Sequence, residues 1–170
     1  MTCPSSISVA LMITLRRMRN DEFPAYCDYF IADYAQEMVQ NYGHRLDVAL
    51  QLAEQDLRHA FPTGPDSGSH TLLCMEAVIA GQPQLVGYLW HGLQPADHAT
   101  FIYDIYVAAP FRGQGFGKQA IAELEKQLAT QDIHQIKLRV AFHNPRALKL
   151  YQALGFTITG YNMAKQLAAD

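Results

Sequence analysis

The stretch Arg112-Gly113-Gln114-Gly115-Phe116-Gly117-Lys118 separates a run typical of a β-strand, residues 100–107, from a run typical of an α-helix, residues 118–130. Glycine has no Cβ, so a ligand can approach its backbone N–H groups closely, and it accepts positive φ without penalty. The first turn of a helix leaves N–H groups without intrahelical partners at the positive end of the dipole. Residues 112–118, here called the glycine turn, are therefore predicted to bind an anion, and phosphate suits such a site best.

Composition limits what the remainder of the chain can be. Its 170 residues are 49% apolar and carry a formal net charge of −3. These values indicate one globular domain without the positive field that would attract nucleic acid or a membrane surface. Cys3, Cys27 and Cys74 are few and far apart, which favours a reducing cytoplasm over a disulfide framework. No CxxC, HExxH or close Cys/His spacing occurs, so we expect no metal site.

Hydrophobic periodicity predicts the element order β-α-α-β-β-β-α-β-α-β. We expect a flexible tail over residues 1–12 and one α+β domain over residues 13–170. Its sheet should be mixed and mostly antiparallel, with helices on both faces. The predicted strands are 13–18, 71–78, 84–90, 100–107, 135–141 and 156–164, and the predicted helices are 23–38, 46–59, 118–130 and 145–154.

Two common phosphate-binding motifs do not match the glycine turn. A P-loop requires Gly-x-x-x-x-Gly-Lys-Ser/Thr, and here Lys118 is followed by Gln119. A dinucleotide fingerprint requires Gly-x-Gly-x-x-Gly, and Gly117 comes one residue too early. Asp132 has about the spacing of the acidic residue in that fingerprint, but it precedes the next strand instead of ending it. A dehydrogenase is therefore disfavoured.

A third pattern fits the glycine turn as it stands. Residues 112–117 match Arg/Gln-x-x-Gly-x-Gly/Ala, and residues 143–156 (HNPRALKLYQALGF) match Asn-x-x-Ala-x-x-Leu-Tyr-x-x-x-Gly-Phe. Both segments, and the strand over 105–112 that leads into the first, resemble the GCN5-related N-acetyltransferase family. The resemblance covers about residues 100–156, and two motifs in this order are strongly specific. The earlier β-α-α-β-β order agrees with the family fold.

The resemblance implies a transferase that uses acetyl-CoA and no metal. The pyrophosphate would lie on the glycine turn, and the pantetheine arm would follow the exposed backbone of the preceding strand. The reaction implied is direct attack by a primary amine of a small molecule or peptide on the thioester. The cofactor-binding residues implied are Ile105, Tyr106, Val107, Arg112, Gly113, Gln114, Gly115, Phe116, Gly117, Lys118, Asn144, Arg146 and Tyr151.

Several of these side chains also have a purely structural interpretation. Tyr151 lies on the apolar stripe of its helix and could be core, whereas the family motif makes it the general acid for the departing thiolate. Asn144 precedes Pro145, a standard N-cap arrangement, and the family gives it a pantetheine hydrogen bond as well. Asp104 interrupts an apolar strand and is either a base or a buried hydrogen-bonding group, with Glu76 and His91 as further base candidates.

The acceptor is not identified by any motif. Tyr26, Tyr29, Phe30, Tyr34 and Tyr42 make the first helical region aromatic, which is typical of core packing and also of the wall of an acceptor site in the family. A homodimer, common in the family, is compatible with this aromatic half and with edge strands. The main alternative to an enzyme is a non-catalytic acyl-CoA-binding regulatory module that keeps the glycine turn.

Overall fold

The computed structural model describes residues 11–167, so most of the predicted N-terminal tail lies outside the described residues. None of the described helices is both long enough and apolar enough to cross a lipid bilayer. The strands are β1 (Ile13–Arg17), β2 (Asp66–Ser67), β3 (His70–Ile79), β4 (Gln82–Gln94), β5 (Ala99–Val107) and β6 (Gln135–Leu138), and the helices are α1 (Phe23–Tyr42), α2 (Leu46–Ala60), α3 (Phe116–Leu128) and α4 (Pro145–Ala153).

The predicted α+β class is confirmed: in the described part of the chain, four helices accompany an open sheet that is mostly antiparallel. The described chain divides into two compact units. The sheet unit holds residues 11–18 and Gly68–Lys137, and the helical unit holds Arg19–Ser67 and residues 138–167.

Within residues 11–167 the sheet has six strands, and five of them follow the order β1-β3-β4-β5-β6. Strands β1, β3, β4 and β5 pair antiparallel with their neighbours in this order. Helix α3 packs on β1 and β5, because its apolar residues recur at steps of three and four and form one stripe. The stripe is buried and consists of Phe116, Ala120, Ile121, Leu124 and Leu128. Burying each large aliphatic or aromatic side chain contributes about 1.5–3 kcal/mol, so this stripe fixes the position of α3.

Two glutamines of α3 also bind the backbone of the edge strand β1. The side chain of Gln119 accepts from the Ile13 N–H at 3.0 Å and donates to the Leu11 carbonyl at 2.9 Å. Gln127 donates to the Leu15 carbonyl at 3.0 Å. An edge strand exposes unpaired backbone groups, and these side chains satisfy some of them on β1.

In the helical unit, α1 and α2 pack on each other through small residues. Ala35, Ala49 and Ala53 are fully buried, and Met38 fills the space between them. The short side chains let the two helix backbones approach closely. Helix α1 ends at Gly43, which has a left-handed φ of 69°, as a helix C-terminus commonly requires.

Two strand predictions were wrong at the C-terminal side. Strand β6 ends at Leu138 and does not reach residue 141, because Arg139 binds Glu37 at 3.2 Å and lies over the Tyr42 ring. The predicted closing strand over 156–164 has no strand assignment. Its alternating side chains remain exposed, Tyr161 by 82% and Met163 by 94%. Alternation marks a chain that is able to pair, whereas a strand also needs a neighbouring ladder of hydrogen bonds.

Candidate functional site

The glycine turn adopts the backbone conformation that its composition predicts. Gly113 and Gly115 have φ of 75° and 82°, in the left-handed region that L side chains rarely adopt. Gly115 occupies the N-cap position of α3, and a Cβ there would meet nothing within 4 Å. The space beside this backbone is therefore open, which is what a bound anion requires.

No capping side chain and no acidic first-turn residue of α3 offset the positive end of its helix dipole. Helix N-termini normally attract Ser, Thr, Asp or Asn at the cap and acidic residues in the first turn, because free N–H groups and the dipole favour negative charge. Lys118 is exposed on this same turn, while Phe116 is buried and anchors it to the core. The arrangement can bind an external anion in place of an internal cap.

Arg112 links the glycine turn to the end of β5. Its Nε donates to the carbonyl of Val107 at 2.8 Å, and its guanidinium lies 5.5 Å from the centre of the Tyr106 ring. Gln114 donates to the carbonyl of Pro110 at 3.4 Å. Arg112 therefore orders the loop in this structure, in addition to the phosphate contact that the family resemblance implies for it.

Strand β5 bends at Tyr103, just before the residues expected to bind pantetheine. Trp90 pairs with Asp104 and His91 pairs with Ile102, so Tyr103 is an extra residue opposite β4. Such a β-bulge increases the local twist and redirects the strand. The segment from Asp104 to Val107 therefore continues in a different direction from the first half of β5.

The neighbouring strand β6 is too short to follow all of β5. The N–H of His134 donates to the His98 carbonyl at 2.7 Å, so the two strands begin side by side. Strand β6 has four residues and β5 has nine. The half of β5 that follows the bulge therefore extends past the end of β6 in the described part of the chain.

Gly87 is a residue that the sequence analysis did not single out. It lies in β4 opposite Val107, and a Cβ at this position would overlap the carbonyl oxygen of Tyr106. Met75 Sδ would lie 3.1 Å away on another side. A glycine inside a strand often marks a close approach of another backbone, and this signal was available in the sequence. Gly87 sets how closely the second half of β5 packs on β4.

The structure separates the three base candidates by their surroundings. Asp104 is half-buried after the bulge and pairs with Trp90 across the two strands. Glu76 accepts from Arg16 Nε at 2.9 Å in a half-buried ion pair, which occupies its carboxylate. Asp104 therefore remains the candidate on the strand that leads to the glycine turn.

His91 is held as a neutral structural residue. Thr100 donates its hydroxyl proton to the Gly92 carbonyl at 3.0 Å, so its oxygen must accept from His91 Nδ1, 2.9 Å away. Burial, with the nearby charges of Arg17 and His70, lowers the pKa of His91 to about 4. A base this weak removes a proton from an ammonium group poorly. His91 is not a good candidate for the catalytic base.

The second motif forms α4 in the helical unit. Asn144 Oδ1 accepts from the Ala147 N–H at 3.1 Å, so Asn144 is a helix cap, as one interpretation of the sequence predicted. Tyr151 is only 8% exposed, and its ring lies 5.6 Å from that of Phe156. Arg146 is exposed on the first turn of α4. The residues from Ile105 to Lys118 belong instead to the sheet unit.

The aromatic side chains of α1 contribute mainly to the core of the helical unit. Tyr26 is fully buried, Phe30 is 7% exposed, and their rings stack at 5.8 Å. The centre of the Tyr34 ring lies 5.3 Å from the centre of the Phe30 ring. Tyr29 is half-buried and Tyr42 is more exposed, so these two keep surface available to a ligand.

Comparisons with known proteins agree with this geometry. The acetyltransferase (GNAT) family profile matches residues 27–156. An uncharacterized N-acetyltransferase of Bacillus subtilis (strain 168), YycN, is 32% identical over 92% of this chain and 100% of its own length. Its crystal structure superposes with a TM-score of 0.83 over 93% of this chain and 100% of YycN.

A thialysine N-epsilon-acetyltransferase of Bos taurus is 30% identical over 65% of this chain and 68% of its own length. The family profile spans most of the chain and includes both the glycine turn and α4. These matches establish that the chain belongs to the acetyltransferase (GNAT) family.

Proposed function

We propose that this protein transfers the acetyl group of acetyl-CoA to a primary amine of a small molecule or peptide. The observation that carries the proposal is the N-terminus of α3, which has open space at Gly115, no side-chain cap and no acidic residue in its first turn. A pyrophosphate carries the negative charge that such a helix end stabilises. Family membership supplies the choice of CoA among phosphate-bearing ligands.

The residues proposed to hold acetyl-CoA fit its chemistry. Backbone N–H groups from Gly113 to Lys118 would bind the pyrophosphate, and the side chains of Arg112 and Lys118 add positive charge. The backbone of Ile105, Tyr106 and Val107 would bind the pantetheine arm, because this part of β5 extends past the end of β6. Asn144 and Arg146 keep the cofactor-binding roles that their motif implies. Bound acetyl-CoA would supply a thioester carbonyl open to attack by an amine.

Tyr151 is proposed as the general acid that donates a proton to the departing sulfur. Its side chain is nearly buried and lies against Phe156, so the ring has a fixed orientation. A positioned acid of this kind contributes about 10²–10⁴-fold to a rate. Backbone N–H groups of Tyr106 and Val107 are proposed to stabilise negative charge on the carbonyl oxygen during attack.

Asp104 is proposed as the group that receives the proton released by the attacking amine. It follows the bulge on β5, one residue before the proposed pantetheine contacts. Trp90 lies opposite Asp104 on the neighbouring strand, and its Nε1 donates to His70 Nδ1 at 3.1 Å. A half-buried carboxylate on this strand can act as a general base if it lies within hydrogen-bond reach of the attacking nitrogen.

The amine acceptor is the part of the proposal that rests on relatives. The Bos taurus relative is named for acetylation of the ε-amine of thialysine, a primary amine. We therefore propose a primary alkylamine as the acceptor class. The homodimer remains a prediction, and so does the reducing cytoplasm.

The cofactor assignment is tested with Gly115→Glu, which adds a negative charge and a side chain at a left-handed position. Gly81→Glu is the matched control, because Gly81 has φ of 78° and open space but lies in the β3–β4 turn. We expect acetyl-CoA affinity, measured by calorimetry, to fall at least about 100-fold in Gly115→Glu and to stay within about twofold in the control. Equal affinities in the two variants would show that the helix end does not hold the cofactor.

Catalysis is tested with a panel of primary amines and an assay for released thiol. We expect Tyr151→Phe to lower kcat by about 10²–10⁴-fold with little change in acetyl-CoA affinity, because the hydroxyl acts on the departing sulfur and not on the bound cofactor. Tyr161→Phe changes an exposed tyrosine of the same unit and should leave kcat unchanged. If the parent binds acetyl-CoA but acetylates no amine, the protein is instead an acyl-CoA-binding regulatory module.

A further inference from the structure

Three potential metal ligands lie together at the end of the sheet where β5 and β6 begin. His98 follows the short 3₁₀ turn Pro95–Asp97 before β5, while Asp132 and His134 precede β6. His98 Nδ1 lies 2.9 Å from Asp132 Oδ2, and His134 Nε2 lies 3.0 Å from Asp132 Oδ1. The two imidazole rings stack at 5.6 Å with an angle of 22° between their planes. All three side chains therefore point to one small volume.

The backbone holds these side chains together without any ion. The N–H of His134 donates to the carbonyl of His98 at 2.7 Å. A second contact joins the same two chain segments, because Lys137 Nζ lies 3.0 Å from Asp97 Oδ2. His98 itself has φ of 48°, a left-handed conformation that directs its ring toward the loop before β6. Little chain entropy would be lost on binding a ligand here, because the two segments are already in register.

The donor set and its spacing suit a divalent transition metal. Neutral imidazole nitrogen and carboxylate oxygen are common ligands of Zn²⁺, at about 2.0–2.2 Å. Tetrahedral geometry at that radius separates ligand atoms by about 3.3–3.5 Å. The three donor atoms here lie within 4.8 Å of one another, and the two short pairs are close to 3 Å. Shifts of a few tenths of an ångström in exposed side chains would complete the geometry.

The side chains of His98, Asp132 and His134 can stay close together both with and without a bound metal ion. Without metal, an N–H of each imidazole can donate to one carboxylate oxygen. A Zn²⁺ ion would bind the nitrogens that face Asp132: a neutral ring would then carry its one proton on the opposite nitrogen, in solvent, and a protonated ring would release one proton to solvent. The three ligands are exposed, so a fourth position stays open to water, as in three-ligand zinc sites.

We propose that His98, Asp132 and His134 bind one Zn²⁺ ion that joins the start of β5 to the start of β6. The site goes beyond the proposed acetyl transfer and does not depend on it. Strand β5 has nine residues, so its two ends are separated by about 26 Å at about 3.3 Å per residue. The ion would therefore stabilise the sheet far from the glycine turn and take no part in the acyl transfer itself.

The sequence analysis expected no metal because it examined ligands at short spacing. His98 and Asp132 are 34 residues apart in the chain, and only the pairing of β5 with β6 brings them together. No local motif records such a site.

Calorimetric titration of Zn²⁺ into chelator-treated full-length protein tests the proposal. We expect one equivalent to bind with Kd near or below about 10⁻⁶ M, and saturation with Zn²⁺ to raise Tm. His134→Ala should weaken binding at least about tenfold and abolish the rise in Tm, because one of three ligands is lost. His59→Ala, which removes an exposed histidine of α2, is the matched control and should match the parent.

Asp132→Asn provides a second variant that keeps the size of the side chain and removes its charge. We expect it to weaken Zn²⁺ binding as well, with Co²⁺ absorption in the visible reporting the same loss of tetrahedral coordination. The proposal is overturned if the parent binds no Zn²⁺ at 100 times the expected Kd, or if both variants bind as the parent does. An equal loss of Zn²⁺ affinity in His59→Ala would also show that the ion binds elsewhere on the protein.

Discussion

Burial, together with the nearby charges of Arg17 and His70, favours the neutral form of His91. Its pKa is about 4 in the folded chain, against about 6.5 when unfolded. Between these values the unfolded chain binds more protons, so the free energy of unfolding decreases as the pH falls below about 6.5. The stability that neutral His91 contributes is fully present above that value and is lost as pH falls through about 4.

We expect this one group to remove about 2 kcal/mol of stability between about pH 7 and pH 5. His91→Asn does not titrate in this range, and its carboxamide nitrogen can still donate to Thr100. The variant should be less stable at pH 7 but should lose less stability on acidification. Urea unfolding at the two pH values measures both effects, with His59→Ala as an exposed control. A parent and an Asn variant with the same pH dependence would rule out this role for His91.

Gly87 gives a second prediction at the scale of one residue. Gly87→Ala places a methyl group against the carbonyl oxygen of Tyr106, so β5 must move where pantetheine is proposed to bind. We expect a loss of about 1–3 kcal/mol in stability, typical of overpacking, and at least a tenfold loss of acetyl-CoA affinity. Gly160→Ala is the matched control, because a Cβ there meets nothing within 4 Å. Unchanged acetyl-CoA affinity in Gly87→Ala would show that this part of β5 does not contribute to the cofactor site.

Among the elements, α3 was predicted nearly correctly because its signals are local. Its apolar residues repeat at helical spacing, and Gly113 and Gly115 precede it, so both its buried face and its first turn could be inferred from the sequence. It begins at Phe116, two residues earlier than predicted, because Gly115 itself serves as the N-cap. Local chemistry was sufficient here.

The strands show where local signals are insufficient. The extent of β6, the absence of a closing strand and the bulge at Tyr103 all depend on which backbone lies alongside. Alternation of apolar and polar residues indicates which face of a strand is buried, but it does not identify the neighbouring strand. The same limit hid the cluster of His98, Asp132 and His134, whose members meet only through strand pairing.

A further prediction for the elements concerns the hydrogen bonds that attach β1 to α3. Gln119→Ala removes two hydrogen bonds between α3 and the backbone near β1. Each is worth about 0.5–1.5 kcal/mol, so we expect a loss of about 1–3 kcal/mol in urea unfolding. Hydrogen exchange at the Ile13 amide should become faster, because its acceptor is gone. Gln51→Ala, at an exposed position of α2, is the control, and equal effects in the two variants would contradict the prediction.

For the whole molecule, β5 connects two proposed sites with different ligands. Its C-terminal end leads through Val107 to the glycine turn, and its N-terminal end begins beside His98. The two ends are about 26 Å apart, and effects at distant sites without shared partners usually add. Ligands that bind only the folded chain stabilise it by an amount set by their concentration relative to Kd, about 2.7 kcal/mol at 100 times Kd.

We therefore expect acetyl-CoA and Zn²⁺ to raise stability independently. Each ligand at about 100 times its Kd should add about 2.7 kcal/mol, and the two together should add about twice that. Urea unfolding with neither, one or both ligands measures the sum. Gly115→Glu should remove only the acetyl-CoA increment, and His134→Ala only the Zn²⁺ increment. If Zn²⁺ abolished the stabilisation by acetyl-CoA, the independence expected of ligands at opposite ends of β5 would be contradicted.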